Sequence, residues 1–320
     1  MIRKFSAAVR LMRPAQWIKN VFVFGALVFG PRRNDPQAIL LACAAFGIFC
    51  LLAASVYALN DLLDRREDAV HPTKRNRPIA SGALSPVEGG LFAILLAAGG
   101  VAAALQLPRG FALTACLYVA LNLFYSLWAK HVVLMDVILI AIGFVLRALA
   151  GAQAIDVEVS AWLVVCTFTL CLFLGFGKRR CELAVMNTGD AHAHRKSLVG
   201  YTPELLAHLL SVTGGIAVIT FLLYTLDPNT PSPKSLVFTT PLVFYAIFRY
   251  ASVIEQGQRT GPTDVLIKDR PFLVTAILWT VMTLGLIVLG PAVEKHLPRL
   301  RYPGMPPATQ PTTGGQSSGG

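Results

Sequence analysis

Charge is scarce in this 320-residue chain: 14% of its residues are charged against 55% hydrophobic, and the mean hydropathy of +0.60 lies well off the range of soluble domains. That scarcity excludes a water-soluble globular protein and leaves an integral membrane protein. Acids are scarcer than bases, 17 against 28, for a formal charge of +11. A nucleic-acid binder would also be basic, but here the cations collect between apolar runs, as the positive-inside rule requires, so no nucleic acid is expected as a partner. Cysteines are few and unpaired in pattern. Cys43, Cys50, Cys116, Cys166 and Cys171 fall inside apolar runs and Cys181 just beyond one, without metal-ligand spacing, so they read as small core residues in a reduced or lipid setting. A cleavable leader is not evident, because the first apolar run follows Arg3, Lys4, Arg10 and Arg13 and lacks a clear small-residue cleavage site. The short alternating segments of a β-barrel are missing too.

What is present is a series of apolar runs long enough to cross a bilayer as helices. The sequence predicts an all-α bundle of nine spans, at 15–30, 37–59, 89–107, 110–128, 132–154, 160–177, 205–226, 235–253 and 271–293. With the N-terminus inside, 20 Lys and Arg fall on the cytoplasmic side and 7 on the other, with Arg147 left inside a span. That bias orients the chain in the plasma membrane with its N-terminus in the cytoplasm. Residues 1–295 form one transmembrane domain, and 296–320, rich in Pro, Gly, Ser and Thr from 303 onward, are expected as a disordered tail outside.

The densest chemistry follows the second span, in Asn60-Asp61-Leu62-Leu63-Asp64-Arg65-Arg66-Glu67-Asp68. If the helix continues, Asp61, Asp64 and Asp68 stand at i, i+3 and i+7 on one face. Clustered carboxylates repel unless a divalent cation is shared, and Mg²⁺ suits a few carboxylates plus substrate phosphate oxygens. A solvated helix end whose acids pair with Arg65 and Arg66 is the plain alternative. Against it, Lys74, Arg75 and Arg77 follow directly, the cations a metal-bridged polyphosphate requires.

Other polar groups sit on the same cytoplasmic rim. Lys19 and Asn20 enter the first span beside Trp17, either as a snorkelling anchor or as a phosphate contact. Tyr125 and Lys130 close the fourth span. The fifth carries Asp136 and Arg147, eleven positions apart and so within about 20° of one face; a cation this deep points into the bundle, toward an anion or polar cavity or into a structural pair. Beyond the sixth span, Lys178-Arg179-Arg180-Cys181-Glu182 places Glu182 at i+4 from Lys178 and i+3 from Arg179. His192 and His194 lack a third ligand for zinc. Asp264 and Lys268-Asp269-Arg270 precede the last span.

Asn60-Asp61-x-x-Asp64-x-x-x-Asp68 on such a chain resembles the first motif of the UbiA superfamily of intramembrane transferases, over nearly the whole chain to about residue 295. Ordinary members hold a prenyl diphosphate through Mg²⁺ with a second acid motif, D-x-x-x-D, after the sixth span. Here Lys178 to Glu182 stands in that place. The chain is instead similar to the superfamily's decaprenyl-phosphate phosphoribosyltransferase branch, which shares R-P-x-Q-W-x-K-N, as in Arg13 to Asn20, together with Tyr125-Ser126 and Lys130, Arg147-Ala148-x-Ala150-Gly151, Gly177-Lys178-Arg179 and Asp269-Arg270. The resemblance implies catalytic and metal-holding roles for Asp61, Asp64 and Asp68 with Mg²⁺ as cofactor. It implies substrate contacts by Gln16, Lys19, Asn20, Asn60, Lys74, Arg77, Tyr125, Lys130, Arg147, Lys178, Arg179, Glu182, Asp269 and Arg270.

The implied reaction moves 5-phosphoribose from phosphoribosyl diphosphate to a polyprenyl phosphate, releasing diphosphate, in the supply of cell-wall arabinan precursors or a related glycolipid pathway. A donor with phosphates at both ends needs a metal site and a separate cationic site, and a second acid motif would repel the extra phosphate. The acceptor phosphate is already mostly anionic at neutral pH, so no general base is needed. Two rivals remain: a prenyltransferase alkylating an aromatic or quinone precursor, for which a second acid motif would be expected, and a lipid-phosphate transporter, against which the odd span count and absent repeat argue. Lipid-facing surfaces read alike whether they meet lipid or another copy, so a homo-oligomer stays open.

Overall fold

The computed structural model describes residues 2–71, 74–186, 196–227, 234–256, 265 and 268–294. His192, His194, Asp264 and residues 296–320 lie outside them. Among the described residues every element is helical: α1 (Ile2–Met12), a 3₁₀ segment (Pro14–Phe24), α2 (Gly25–Phe29), α3 (Pro36–Leu63), α4 (Arg65–Val70), α5 (Pro86–Ala104), α6 (Arg109–Leu127), α7 (Met135–Ala154), α8 (Ala161–Met186), α9 (Pro203–Leu226), α10 (Thr240–Glu255) and α11 (Arg270–Glu294). Three long helices start the same way, at Asp35-Pro36, Ser85-Pro86 and Thr202-Pro203. In each, the capping side chain accepts from a backbone N–H of the first turn, while the proline has no N–H to leave unsatisfied.

Among the described residues eight helices are long and apolar enough to cross a membrane, each within a few residues of an expected span except that α8 runs on well past 177. Their outer faces keep large apolar side chains exposed, among them Leu91, Ile94 and Leu95 of α5, Leu113 and Leu117 of α6, and Ile277, Leu278 and Val281 of α11. So much uncovered apolar surface belongs against lipid, and the chain is a multi-span membrane protein.

The expected first span differs from the other eight. Residues 14–29 form no single α-helix, but an 11-residue 3₁₀ stretch followed by five α-helical residues. At about 2.0 and 1.5 Å per residue these add to about 30 Å, the thickness of the hydrocarbon core, where sixteen α-helical residues would reach only about 24 Å. The stretched segment lies directly on α7. A Cβ added at Gly151 would come 1.8 Å from the Val23 carbonyl oxygen, so the close approach requires glycine there.

Helices α3 and α7 are the most enclosed spans. One core cluster joins them to the 3₁₀ segment and α6 through Val23, Phe49, Phe111, Tyr118 and Leu146. A second joins α7 to α8, α9 and α10 through Val137, Phe173, Leu206, Val218 and Tyr250. A third, smaller cluster of Leu11, Ala58, Ile79 and Leu84 packs beside the acid motif.

Candidate active site

The helix carrying the acid motif does not run through it. It breaks at Asp64 (φ −88°, ψ 4°) and restarts as α4 at Arg65, yet Asp61 and Asp68 stay close enough to share one cation, Arg77. Each of the three acids meets a cation from elsewhere. Asp61, buried, pairs with Arg13 and lies 3.2 Å from Arg77 Nη1; the same Arg77 nitrogen is 2.6 Å from Asp68 Oδ2; Asp64 pairs with Lys130. The pairing with Arg65 and Arg66 does not occur: Arg65 donates instead to the Leu62 carbonyl. Arg13 is the residue whose part the sequence did not disclose. The following proline ends α1 at this point, Arg13 takes a left-handed conformation (φ 51°), and its guanidinium lies 5.3 Å from the centre of the Tyr57 ring.

One oxygen of this cluster, Asp61 Oδ2, is buried with no hydrogen-bond partner. An unsatisfied buried carboxylate oxygen costs free energy unless something positive meets it, so the donor set Asn60, Asp61, Asp64 and Asp68 fits a hard, oxygen-seeking cation. No three His, Cys, Asp or Glu among the described residues form a ready metal cage; Mg²⁺ needs none, since it is commonly bound by one or two carboxylates plus substrate phosphates.

The second end lies on α7 and α8. Glu182 takes the place its spacing predicts, pairing with Arg179 and standing 3.7 Å from Lys178 Nζ. Arg179 differs from the expectation of an open phosphate contact. It is almost completely buried, and its Nε also lies 2.8 Å from Asp136 Oδ2, an ion pair not aligned for a hydrogen bond. Two carboxylates thus take up its charge within the protein. Lys178, one residue earlier on the helix, has half its side chain exposed. Tyr201 donates to Asp136 Oδ1 at 2.7 Å. Burial first, then that bond to the carboxylate, push the phenol above its ordinary value and keep it a protonated donor.

Between the two ends stands Arg147. Asp136, its companion on the helix face, is spent on Arg179, and Arg147 bonds only neutral acceptors: Asn20 Oδ1, the Gly143 carbonyl and Tyr118 Oη, each at 2.8 Å. Its guanidinium also lies over the rings of Tyr118 and Phe144, at 4.7 and 5.0 Å. Half-buried Lys19 is acted on by Lys178, Arg147 and Arg13 as like charges, so positive charge gathers around it. Phe22 stacks edge-on against Phe144 at 5.0 Å, and on its other side lines an apolar cavity of about 330 Å³ with Phe29, Phe221, Tyr224, Phe272 and Trp279.

Of the remaining expected contacts, Gln16, Asn60, Lys74 and Tyr125 are half-buried on the acid side of the bundle. Asp269 and Arg270 stand at the head of α11. Asp269 makes a two-point pair with Arg249 at 2.8 and 3.0 Å and caps α11 by accepting from the Phe272 N–H, while Arg270 is exposed.

A helical bundle with paired acids at one end, a basic second end and an apolar cavity alongside defines an intramembrane transferase of the UbiA type. The chain belongs to the UbiA prenyltransferase family, whose profile matches residues 20–267. It is 32% identical over 291 residues to the decaprenyl-phosphate phosphoribosyltransferase of Corynebacterium glutamicum, covering 88% of this chain and 87% of that protein. It is 31% identical over 287 residues to the protein of the same name from Mycobacterium tuberculosis, covering 88% and 94%. Among solved structures it resembles a UbiA homolog from Archaeoglobus fulgidus bound to DMAPP and Mg²⁺, with a TM-score of 0.68 and 23% identity over 91% of this chain and 99% of that one; that likeness bears on the fold.

Proposed function

We propose that this chain transfers 5-phosphoribose from 5-phosphoribosyl 1-diphosphate to a polyprenyl phosphate, releasing diphosphate, as the names of its mycobacterial and corynebacterial relatives imply for them. The observation that carries this reading is the charge layout. The family's second acid motif is replaced by Lys178 and a self-neutralised Arg179–Glu182 pair, and Lys19 and Arg147 add positive charge between the two ends. A prenyl diphosphate has one charged end, which the acid motif alone could serve. Phosphoribosyl diphosphate has two, and the acceptor adds a third phosphate, so a surplus of cations beyond the acid end suits this substrate pair.

In this reading Asp61 and Asp64, with Asp68 and Asn60, hold Mg²⁺. Bound there, the ion neutralises charge on the diphosphate as it leaves. Lys130 and Arg77 keep the acids oriented, and Lys19, Arg147 and Lys178 bind the remaining phosphates. The acceptor oxygen attacks C1 from the face opposite the diphosphate; it is already ionised, so the residues contribute position and electrostatic stabilisation and no base. The apolar cavity beside Phe22 suits the acceptor's isoprenoid chain. The cation bias supports a site on the cytoplasmic face of a bacterial plasma membrane.

Mass spectrometry of the lipid formed by purified protein with Mg²⁺, phosphoribosyl diphosphate and decaprenyl phosphate tests the reading. A lipid heavier by one phosphoribosyl group is expected. Diphosphate release from a prenyl diphosphate and an aromatic acid, with none from phosphoribosyl diphosphate, overturns it; so does movement of unaltered polyprenyl phosphate between leaflets of vesicles.

A further inference from the structure

Asp136 has no place in the site as read from the sequence, yet it is the most completely buried acid among the described residues, 0% exposed. Both its oxygens are committed. Oδ1 accepts from Tyr201 Oη, which in turn accepts the N–H of Leu134, a residue held at φ 69° just before α7. Oδ2 faces Arg179 Nε at 2.8 Å, and the other side of that guanidinium holds Glu182, whose second oxygen stands 3.7 Å from Lys178 Nζ. The chain Tyr201–Asp136–Arg179–Glu182–Lys178 thus runs from a fully enclosed carboxylate to a half-exposed ammonium. Helix α8 comes near enough only because residue 175 is glycine: a Cβ there would lie 2.5 Å from Val137 Cγ1, on the residue next to Asp136.

Stability alone does not account for such a pair, since apolar residues of similar volume usually replace a buried ion pair without loss. We infer that Asp136, fixed by Tyr201, is a positioning residue of the transfer reaction: it holds Arg179 so that Arg179 and Glu182 set the position of Lys178 toward a substrate phosphate. The inference rests on the reading of Lys178 as a phosphate contact. Without the Asp136 charge, Arg179 keeps Glu182 as its one carboxylate among the five groups of this chain, Glu182 is drawn toward it, and the contact between Glu182 and Lys178 is lost.

A double-mutant cycle on the full chain in detergent tests this, with kcat and KM for phosphoribosyl diphosphate measured per folded molecule. Asp136→Asn alone is expected to lower kcat/KM by about tenfold, mostly through KM, whereas in a Lys178→Met background the same change should alter it less than about twofold, because the two residues act as one unit. Losses that multiply in the double variant overturn the inference, as does a stability loss with kcat/KM unchanged. If Asp136→Asn does not insert, Tyr201→Phe carries the cycle. It removes one hydrogen bond and no charge, and about a threefold loss is expected in the parent and none beside Lys178→Met. No loss in the parent, or an equal loss in both backgrounds, overturns the inference. The parent's own choice of donor reports separately on the proposed function; if that donor is a prenyl diphosphate, the cycle is run with it.

Discussion

At the acid end of the site, three carboxylates are met by three cations drawn from different parts of the chain, Arg13, Arg77 and Lys130. At the basic end, two carboxylates and two cations neutralise one another within α7 and α8. Each end is close to balanced, so the net charge of the site comes from what lies between: Arg147, bonded to neutral acceptors, and Lys19, surrounded by cations. The difference between the ends is therefore one of kind. The acid end leaves an unsatisfied oxygen, Asp61 Oδ2, for a cation; the middle offers surplus positive charge to anions, beside the half-exposed Lys178 of the basic end. Phosphates are the ligands that both demands share.

The sharpest way to break this comparison is at the acid end. Asp61→Asn and Asp64→Asn are each expected to remove turnover, by about 10³-fold or more, since each takes charge from the group that faces the departing diphosphate. Chelation of divalent metal should do the same to the parent protein, reversibly. The two variants should differ in stability. Asp61 is buried between Arg13 and Arg77, and losing one partner of a buried pair costs about 3–5 kcal/mol, whereas the Asp64–Lys130 pair has the carboxylate side chain 27% exposed and costs about 1 kcal/mol or less. Thermal unfolding in detergent beside a lipid-product assay separates the two effects. Near-normal Mg²⁺-dependent activity in either variant would show the metal to be held elsewhere.

A smaller effect is expected in the middle. Arg147→Lys keeps the charge but cannot reproduce three bonds in a fixed fork, so at least one of Asn20, Gly143 and Tyr118 loses its donor. A loss of about 30- to 100-fold in kcat/KM is expected, at about 1–3 kcal/mol for each buried partner left unmet. If Arg147 were only an orientation anchor, Lys would serve as well, and unchanged kinetics would say so. At the basic end, Lys178→Met should raise the KM of donor or acceptor about tenfold, the value of one charge-assisted contact on a half-exposed side chain. Arg179→Lys is expected to reduce stability as well as affinity, because one ammonium cannot reach both Asp136 and Glu182.

How much of this was legible follows from the distance over which each signal acts. Eight spans could be read because hydropathy is local and each run stands alone, and Glu182 fell beside Lys178 and Arg179 because helical spacing is short-range. The first span was harder. Its length in residues suggested a short α-helix, and only the contact of its backbone with Gly151 shows the stretched 3₁₀ form. The acid motif's composition was plain, but the break at Asp64 was not, since Leu62-Leu63-Asp64-Arg65 carries no proline or glycine to announce it. Asp136 with Arg179, Arg147 with Asn20 and Tyr118, and Arg13 with Asp61 are pairings across 29 to 127 residues. Periodicity places each member on a face and says nothing of its partner.

The smallest effect on catalysis is expected at Asp269-Arg270, where the resemblance implied substrate contacts and the fold supplies another use. Asp269 accepts from the Phe272 N–H at the start of α11 and pairs at two points with Arg249. Loss of a helix cap costs about 1 kcal/mol, and loss of a pair whose arginine is about one-third exposed adds at most about 1 more. Asp269→Ala should therefore unfold about 1–2 kcal/mol more easily while kcat/KM per folded molecule stays within about twofold of the parent. Asp269→Asn keeps a capping oxygen and should recover about half of that stability, since amide and carboxylate cap comparably but only the carboxylate holds Arg249. Arg270→Ala, on an exposed side chain, should change neither quantity measurably. A tenfold loss of kcat/KM in Asp269→Asn at near-parent stability would bring this pair into the site and extend the basic end from α8 to the head of α11.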